Sequence, residues 1–309
     1  MSDTGGFPLV GGSPAFPGKN NVVRDSSGSN SFGWENLNVG NLSVVGGYRN
    51  KVTGVSSAIA GGRFNVTSNT YSFVGGGYFN TASSDSSFVG GGYSNTASAA
   101  YSFVGSGHTN TASAAYSFVG GGYINTASAA YSFVGGGYSN TASGIGSTAA
   151  GLLCLSSRYG EAAHGGIGVS IAGACQRGLL MFGNQSTSAT PVILYLDGTG
   201  ASQRAVLAAG ARWKCKLEIM AATTGAINKS ASWEYKFQID RPTTAATTII
   251  RTTPLLTLSD GSNAGAPPAG WSVAITADTT NGCPQIQVTG DTDTINWTAA
   301  LHYVQSIRV

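Results

Sequence analysis

Residues 116–143 read YSFVGGGYINTASAAYSFVGGGYSNTAS, nearly two copies of one 15-residue phrase. Working outward, Phe73, Phe88, Phe103, Phe118 and Phe133 open successive units 15 residues apart. The register extends back to Ala58 and Ser43 and forward, degraded, to Thr148 and Ala163. A short fixed period marks a solenoid. Fifteen residues suit two short strands and two turns, with Ser-Phe-Val as the first strand and Asn-Thr-Ala-Ser as the second. The glycine triplet between them permits backbone angles that other residues resist.

Columns follow from the period. The second place (Val44, Ile59, Val74, Val89, Val104, Val119, Val134, then Ala149) is always apolar and should point into the coil. The tenth place, Ala82, Ala97, Ala112, Ala127 and Ala142, lets the walls of a narrow coil approach. The eighth place, Asn50 through Asn140, offers a side-chain hydrogen-bond ladder and a residue tolerant of left-handed backbone. One Val and one Ala per turn do not offset the ordering entropy of a coil. Strand alternation places Phe73, Phe88, Phe103, Phe118 and Phe133 on the outer face. Such a column is a large apolar patch unless copies of the chain cover it, and a closed ring of three does so. These five residues are therefore the expected trimer interface.

The repeat resembles the head repeats of trimeric autotransporter adhesins and of bacteriophage tail fibres. The resemblance covers somewhat under half the chain. It implies an all-β protein in which a trimeric, left-handed-type β-roll of 15-residue repeats carries a β-sandwich, jelly-roll-like tip.

Composition narrows the function classes. Gly supplies 46 of 309 residues, charged residues are only 9%, and the net charge is +3. Mean hydropathy is +0.05, so the chain is not a disordered low-complexity segment. Charge is too sparse for a basic groove, so no nucleic-acid partner is expected. No apolar run approaches membrane-spanning length, so no membrane insertion is expected. Cys154, Cys175, Cys215 and Cys283 lie far apart without a CxxC pair and read as free thiols. The opening MSDTGGFPLVGG lacks a secretory pattern, which favours the phage branch of the resemblance.

Residues 1–42, with Pro8, Pro14 and Pro17 among glycines, read as an extended attachment arm, and Phe32, Trp34 and Leu37 as a plug for the open roll. Residues 43–183 read as the roll with a neck. Within the neck, SRYGEAAHGG resembles the neck of phage fibres, and Arg158 with Glu161 is expected to hold the chains together. Residues 184–309 read as the tip: Trp233, Tyr235, Phe237 and Ile239 alternate with polar residues, and Asp197-Gly198 and Asp260-Gly261 mark turns. The run WSVAITADTTNG…IQVTG…INW resembles the tip domain of many tail fibres.

The resemblance implies a trimeric tail fibre or spike that attaches to the host surface, to a glycan, through its tip. The arm would hold other tail or baseplate proteins. The protein would belong to the virion after assembly in the host cytoplasm. Loop 259–271 is Gly- and Pro-rich, so Asp260, Asn263 and Trp271 are the expected receptor contacts. A stripe of Tyr with Arg63 and His108 at the sixth place is a further surface for sugars. No nucleophile–base set or paired carboxylates stand out, so no enzymatic activity, cofactor or metal is expected. Asp291 and Asp293 read as a turn rather than a calcium loop. Three other readings stay open: a purely structural virion fibre, a glycan-cleaving tailspike, and a fragment of a bacterial trimeric adhesin.

Overall fold

The computed structural model describes residues 21–24, 28–166, 172–198, 202–224, 229–251, 255–257 and 267–307. Contacts divide the chain into two units, Met1–Ser139 and Asn140–Val309. The described residues are nearly all β, without an α-helix.

The first unit is a parallel β-solenoid. A typical coil carries two two-residue strands, such as Phe88–Val89 and Thr96–Ala97. They stack in register on the next coil, Val89 opposite Val104 and Ala97 opposite Ala112. A third ladder, one residue wide, runs through the sixth place: Tyr78, Tyr93, His108 and Tyr123 bridge in turn. The Val and Ala columns are fully buried, as their constant apolar character requires.

The eighth-place asparagines are also fully buried. Asn80 Oδ1 accepts from the Asn95 backbone N–H at 2.9 Å, and Asn80 Nδ2 donates to Gly76 O at 2.8 Å and Gly92 O at 2.9 Å. Each side chain thus closes its own turn and clamps the following coil. The ladder is mainly side chain to backbone, with one direct bond from Asn125 Nδ2 to Asn110 Oδ1 at 3.1 Å. The left-handed backbone falls instead on the seventh place, including Thr109 (φ 55°) and Ile124 (φ 56°), and on the fourteenth, including Tyr101 and Tyr116 (both φ 58°). A β-branched residue resists this region. Ile124 is held there because its N–H donates to His108 O of the preceding coil at 3.0 Å.

The glycines of the triplet are not equivalent. Gly92 has φ +91°, and a Cβ there would lie 2.2 Å from Gly107 O of the next coil. Around Gly91 the nearest atom to a Cβ is 3.9 Å away, and Ser106 fills the same place one coil later.

Three expectations need correction. The first turns have 14 residues, so Val45, not Val44, pairs with Ile59 and is buried, while Val44 is exposed. The solenoid also begins before residue 43, because Asn30–Gly33 already pairs in parallel with Val44–Val45. Its open edge is covered by Asn21–Arg24, which runs antiparallel on Asn30–Gly33. Phe32, Trp34 and Leu37 do not plug it; they lie exposed on that first coil.

The second unit opens with parallel pairing of Thr141–Ala142 on Leu155–Ser156 and of Thr148–Leu152 on Ala162–Gly165. Here too the turn has 14 residues: Ala162, not Ala163, lies opposite Thr148. Cys154 takes the asparagine place, its N–H donating to Asn140 Oδ1 at 2.9 Å. Pairing then becomes antiparallel as Cys175–Ser186 runs back along Ala162–Gly165. The larger sheet continues through Ile295–Ile307, Ala211–Thr223 and Ser230–Asp240 to Ile249–Ile250 and Leu255–Thr257. A smaller sheet holds Val192–Ile193, Cys283–Thr289 and Ser272–Asp278. Alternate residues of both form one core around Trp213, Leu217, Trp233, Phe237, Ile286 and Trp297.

Arg158 and Glu161 do not link chains. They form a buried pair within one chain at 2.6 Å. The Glu161 carboxylate also accepts from Tyr303 Oη, and the Arg158 guanidinium lies 4.5 Å over Trp213. A buried charge persists only when paired, and here the partner is three residues away in sequence.

Candidate binding surfaces

The first-place phenylalanines of the first unit stack face to face. Centroids from Phe73 to Phe133 are 5.2, 4.7, 4.7 and 4.9 Å apart. Phe73, Phe88, Phe103 and Phe118 are half-buried, and Phe133 is 42% exposed. The sixth-place column forms a second stack. His108 sits between Tyr93 at 4.7 Å and Tyr123 at 4.8 Å, with its Nδ1 hydrogen-bonded to the Thr109 hydroxyl at 2.8 Å. It replaces a Tyr ring in the stack, which accounts for its presence. A third stripe went unseen in sequence: Tyr101, Tyr116 and Tyr131 stack at 4.9 and 5.1 Å, and all three are exposed. Its signal was present in the fourteenth place of each unit, but the left-handed backbone there turns the ring outward and breaks simple strand alternation.

The expected receptor loop is not supported as drawn. Asp260 and Asn263 lie outside the described residues. Trp271 is buried, 4% exposed, packing 5.7 Å from Trp297 and donating from Nε1 to Asp291 Oδ2 at 3.0 Å. Its apolar ring completes the core rather than reaching solvent. Asp291 and Asp293 share Lys229 Nζ at 2.9 and 2.7 Å. That contact, with further hydrogen bonds, lowers the Asp291 pKa to about 2.

The outer face of the larger sheet bears a cavity of about 1090 Å³. Strand register explains its lining. His164 lies opposite Arg177, Arg177 opposite Val304, and Val304 opposite Lys214, one row across four strands. The next row runs Leu179, His302, Lys216 and Lys236. Beyond it Glu218 and Glu234 face each other directly. Lys216 Nζ contacts Glu218 at 2.8 Å and Glu234 at 3.1 Å, Lys236 contacts Glu234 at 3.0 Å, and His302 lies 3.4 Å from Glu218. Lys236 and then Lys216 hold the Glu234 carboxyl below its ordinary range, which keeps it an acceptor rather than a proton donor. These residues alternate in ARWKCKLEI and SWEYKFQID; pairing the two stretches as a hairpin would have brought the acids together.

Burial pushes the Cys154 thiol up to about 11 and the Cys283 thiol up to about 12, so both are packing residues rather than nucleophiles. Among the described residues no group of three or more His, Cys, Asp or Glu gathers to hold a metal, and no helix is long and apolar enough to cross a membrane.

No family model matches the sequence, and no curated protein matches it. Two solved structures are partly similar. The tailspike protein of Acinetobacter baumannii phage AM24 is 8% identical, with 89% of this chain and 58% of that one covered and a TM-score of 0.27. The tailspike protein of Acinetobacter phage vB_ApiP_P1 is 10% identical, with 86% and 76% covered and a TM-score of 0.18. The chain thus spans well under two thirds of the first of these. Likeness at these scores fixes neither fold nor function. Both proteins nevertheless carry the name tailspike, the class that the sequence reading kept open as a glycan-cleaving alternative. The expectation that the chain is not an enzyme is withdrawn on that finding.

Proposed function

We propose that this protein is a bacteriophage tail component that attaches the particle to glycan on the host surface. It works as a homotrimer, with the C-terminal sandwich making the contact and residues ahead of the first coil holding other tail or baseplate proteins. The observation that carries attachment is the cavity on the outer sheet face, open and lined with hydrogen-bond donors from Arg177, Lys214, Lys216 and Lys236. A purely structural fibre has no use for it. Asp260 and Asn263 remain proposed contacts; Trp271 does not. The repeat resemblance supports the virion setting, and the half-exposed Phe stripe supports the trimer, because three copies together cover it. Three copies also multiply a weak affinity for a repetitive glycan.

The full-length chain, incubated with host bacteria, is expected to bind saturably and to block phage adsorption. No binding by a folded chain would leave the structural-fibre reading in place. Shortening of purified surface polysaccharide would make the protein a cleaving tailspike. Light scattering is expected to give about three times the 31.2 kDa chain mass, and a monodisperse monomer would overturn the trimer.

A further inference from the structure

Two rows of the outer sheet face differ in how their charges are satisfied. In the row through His302, both lysines have an acid: Lys216 contacts Glu218 and Glu234, Lys236 contacts Glu234, and the His302 ring lies beside Glu218. In the row through Val304, Arg177 and Lys214 form no ion pair among the described residues, and no carboxylate lines the cavity. Both are exposed. They sit two strands apart, about 10 Å at the backbone, on either side of the 61% exposed Val304. His164 extends the same row beyond Arg177.

The geometry points to an acidic polysaccharide as the ligand of this face, with Arg177 and Lys214 each receiving a carboxylate and Val304 receiving the apolar face of the sugar between them. Charge complementarity selects an anion, and spaced cations around an apolar centre suit a chain of acidic sugars better than a single small ion. Arg presents a planar fork that matches a carboxylate with two hydrogen bonds, whereas Lys supplies a point charge. The lysines of the second row are already committed to Glu218 and Glu234, so they shape the wall rather than receive the ligand's charge. This inference names the ligand class and subsite for the attachment proposed above and rests on that reading for its biological setting.

The test uses the full-length chain with polygalacturonate as the carboxylated probe and dextran as the neutral one, by titration at low and physiological salt. The expected result is binding of polygalacturonate only, weakened as salt screens the exposed cations. Arg177→Ser with Lys214→Ser should lower that affinity at least about tenfold with thermal unfolding unchanged. Lys214→Gln alone, a milder change on the exposed face, should lower it by less and serves if the double variant unfolds. Equal binding of both probes, no binding of either, or full affinity in the variants would overturn the inference. A changed oligomer mass in the double variant would also overturn it, because the face would then be packing on another copy. Blocking of phage adsorption separates the two proposals. If the variants block as well as the parent chain, attachment stands and this subsite falls. If the parent binds polygalacturonate but never blocks adsorption, the subsite stands and the attachment reading falls.

Discussion

The solenoid and the sandwich solve the same problem with opposite means. In the solenoid each coil buries little, and its order comes from repetition: Val on Val, Ala on Ala, Asn clamping the next Asn. In the sandwich no residue is repeated, and single large side chains such as Trp213, Trp233 and Trp297 fill the core. A repeat therefore tolerates loss of a whole unit but not a shift of register. The sandwich is indifferent to period and sensitive to individual rings.

The largest test of this contrast is deletion. Removing residues 88–102 takes out one coil and brings Phe103 onto Phe73, so a folded, shorter solenoid is expected by circular dichroism and thermal melting. Removing seven residues from the same stretch should abolish the fold, because the Val and Asn columns no longer meet. Equal damage from both would break the comparison. In the sandwich, Trp213→Ala should cost about 4 kcal/mol in denaturant unfolding, since the ring is fully buried and stacks 4.3 Å from Tyr303. Val104→Ala in the solenoid should cost about 2 kcal/mol, the worth of the smaller group.

Much of the solenoid was legible in its sequence, because columns of identical residues report their environment directly. The Val and Ala columns and the outward Phe stripe needed only the period. The 14-residue turns did not show, since Val44 and Val45 are both apolar and either fits the inward place. The left-handed positions were also hidden, because Ile124 and Thr109 lack the propensity that marks such backbone and are held by contacts between coils. The sheet face with Arg177 and Lys214 was illegible for another reason. Its residues come from strands far apart in sequence, and only the pairing of Ile295–Ile307 between Cys175–Ser186 and Ala211–Thr223 assembles them.

A smaller effect sharpens the comparison within one turn. Gly92→Ala should destabilise by about 2 kcal/mol or more, through positive φ and the carbonyl of Gly107, whereas Gly91→Ala should change stability by less than about 0.5 kcal/mol. Equal losses at the two would show that the triplet acts as a flexible linker rather than a fitted turn. The smallest effect concerns acid. The Asp291 pKa is lowered to about 2 by Lys229, so its contribution to stability is present above the ordinary Asp range and is lost as pH falls toward 2. Asp291→Asn should flatten that part of the unfolding-temperature profile by lowering the unfolding temperature above the ordinary Asp range, neutral pH included, while leaving it little altered near pH 2.

The asparagine clamp has a consequence for how such a protein changes over generations. Each clamp refers only to the coil before and the coil after, so every internal coil of the repeat is interchangeable with its neighbour. Misaligned recombination between near-identical stretches of the gene would then insert or remove whole coils in frame. A lineage could alter the length of the solenoid in single steps, with no search through misfolded intermediates.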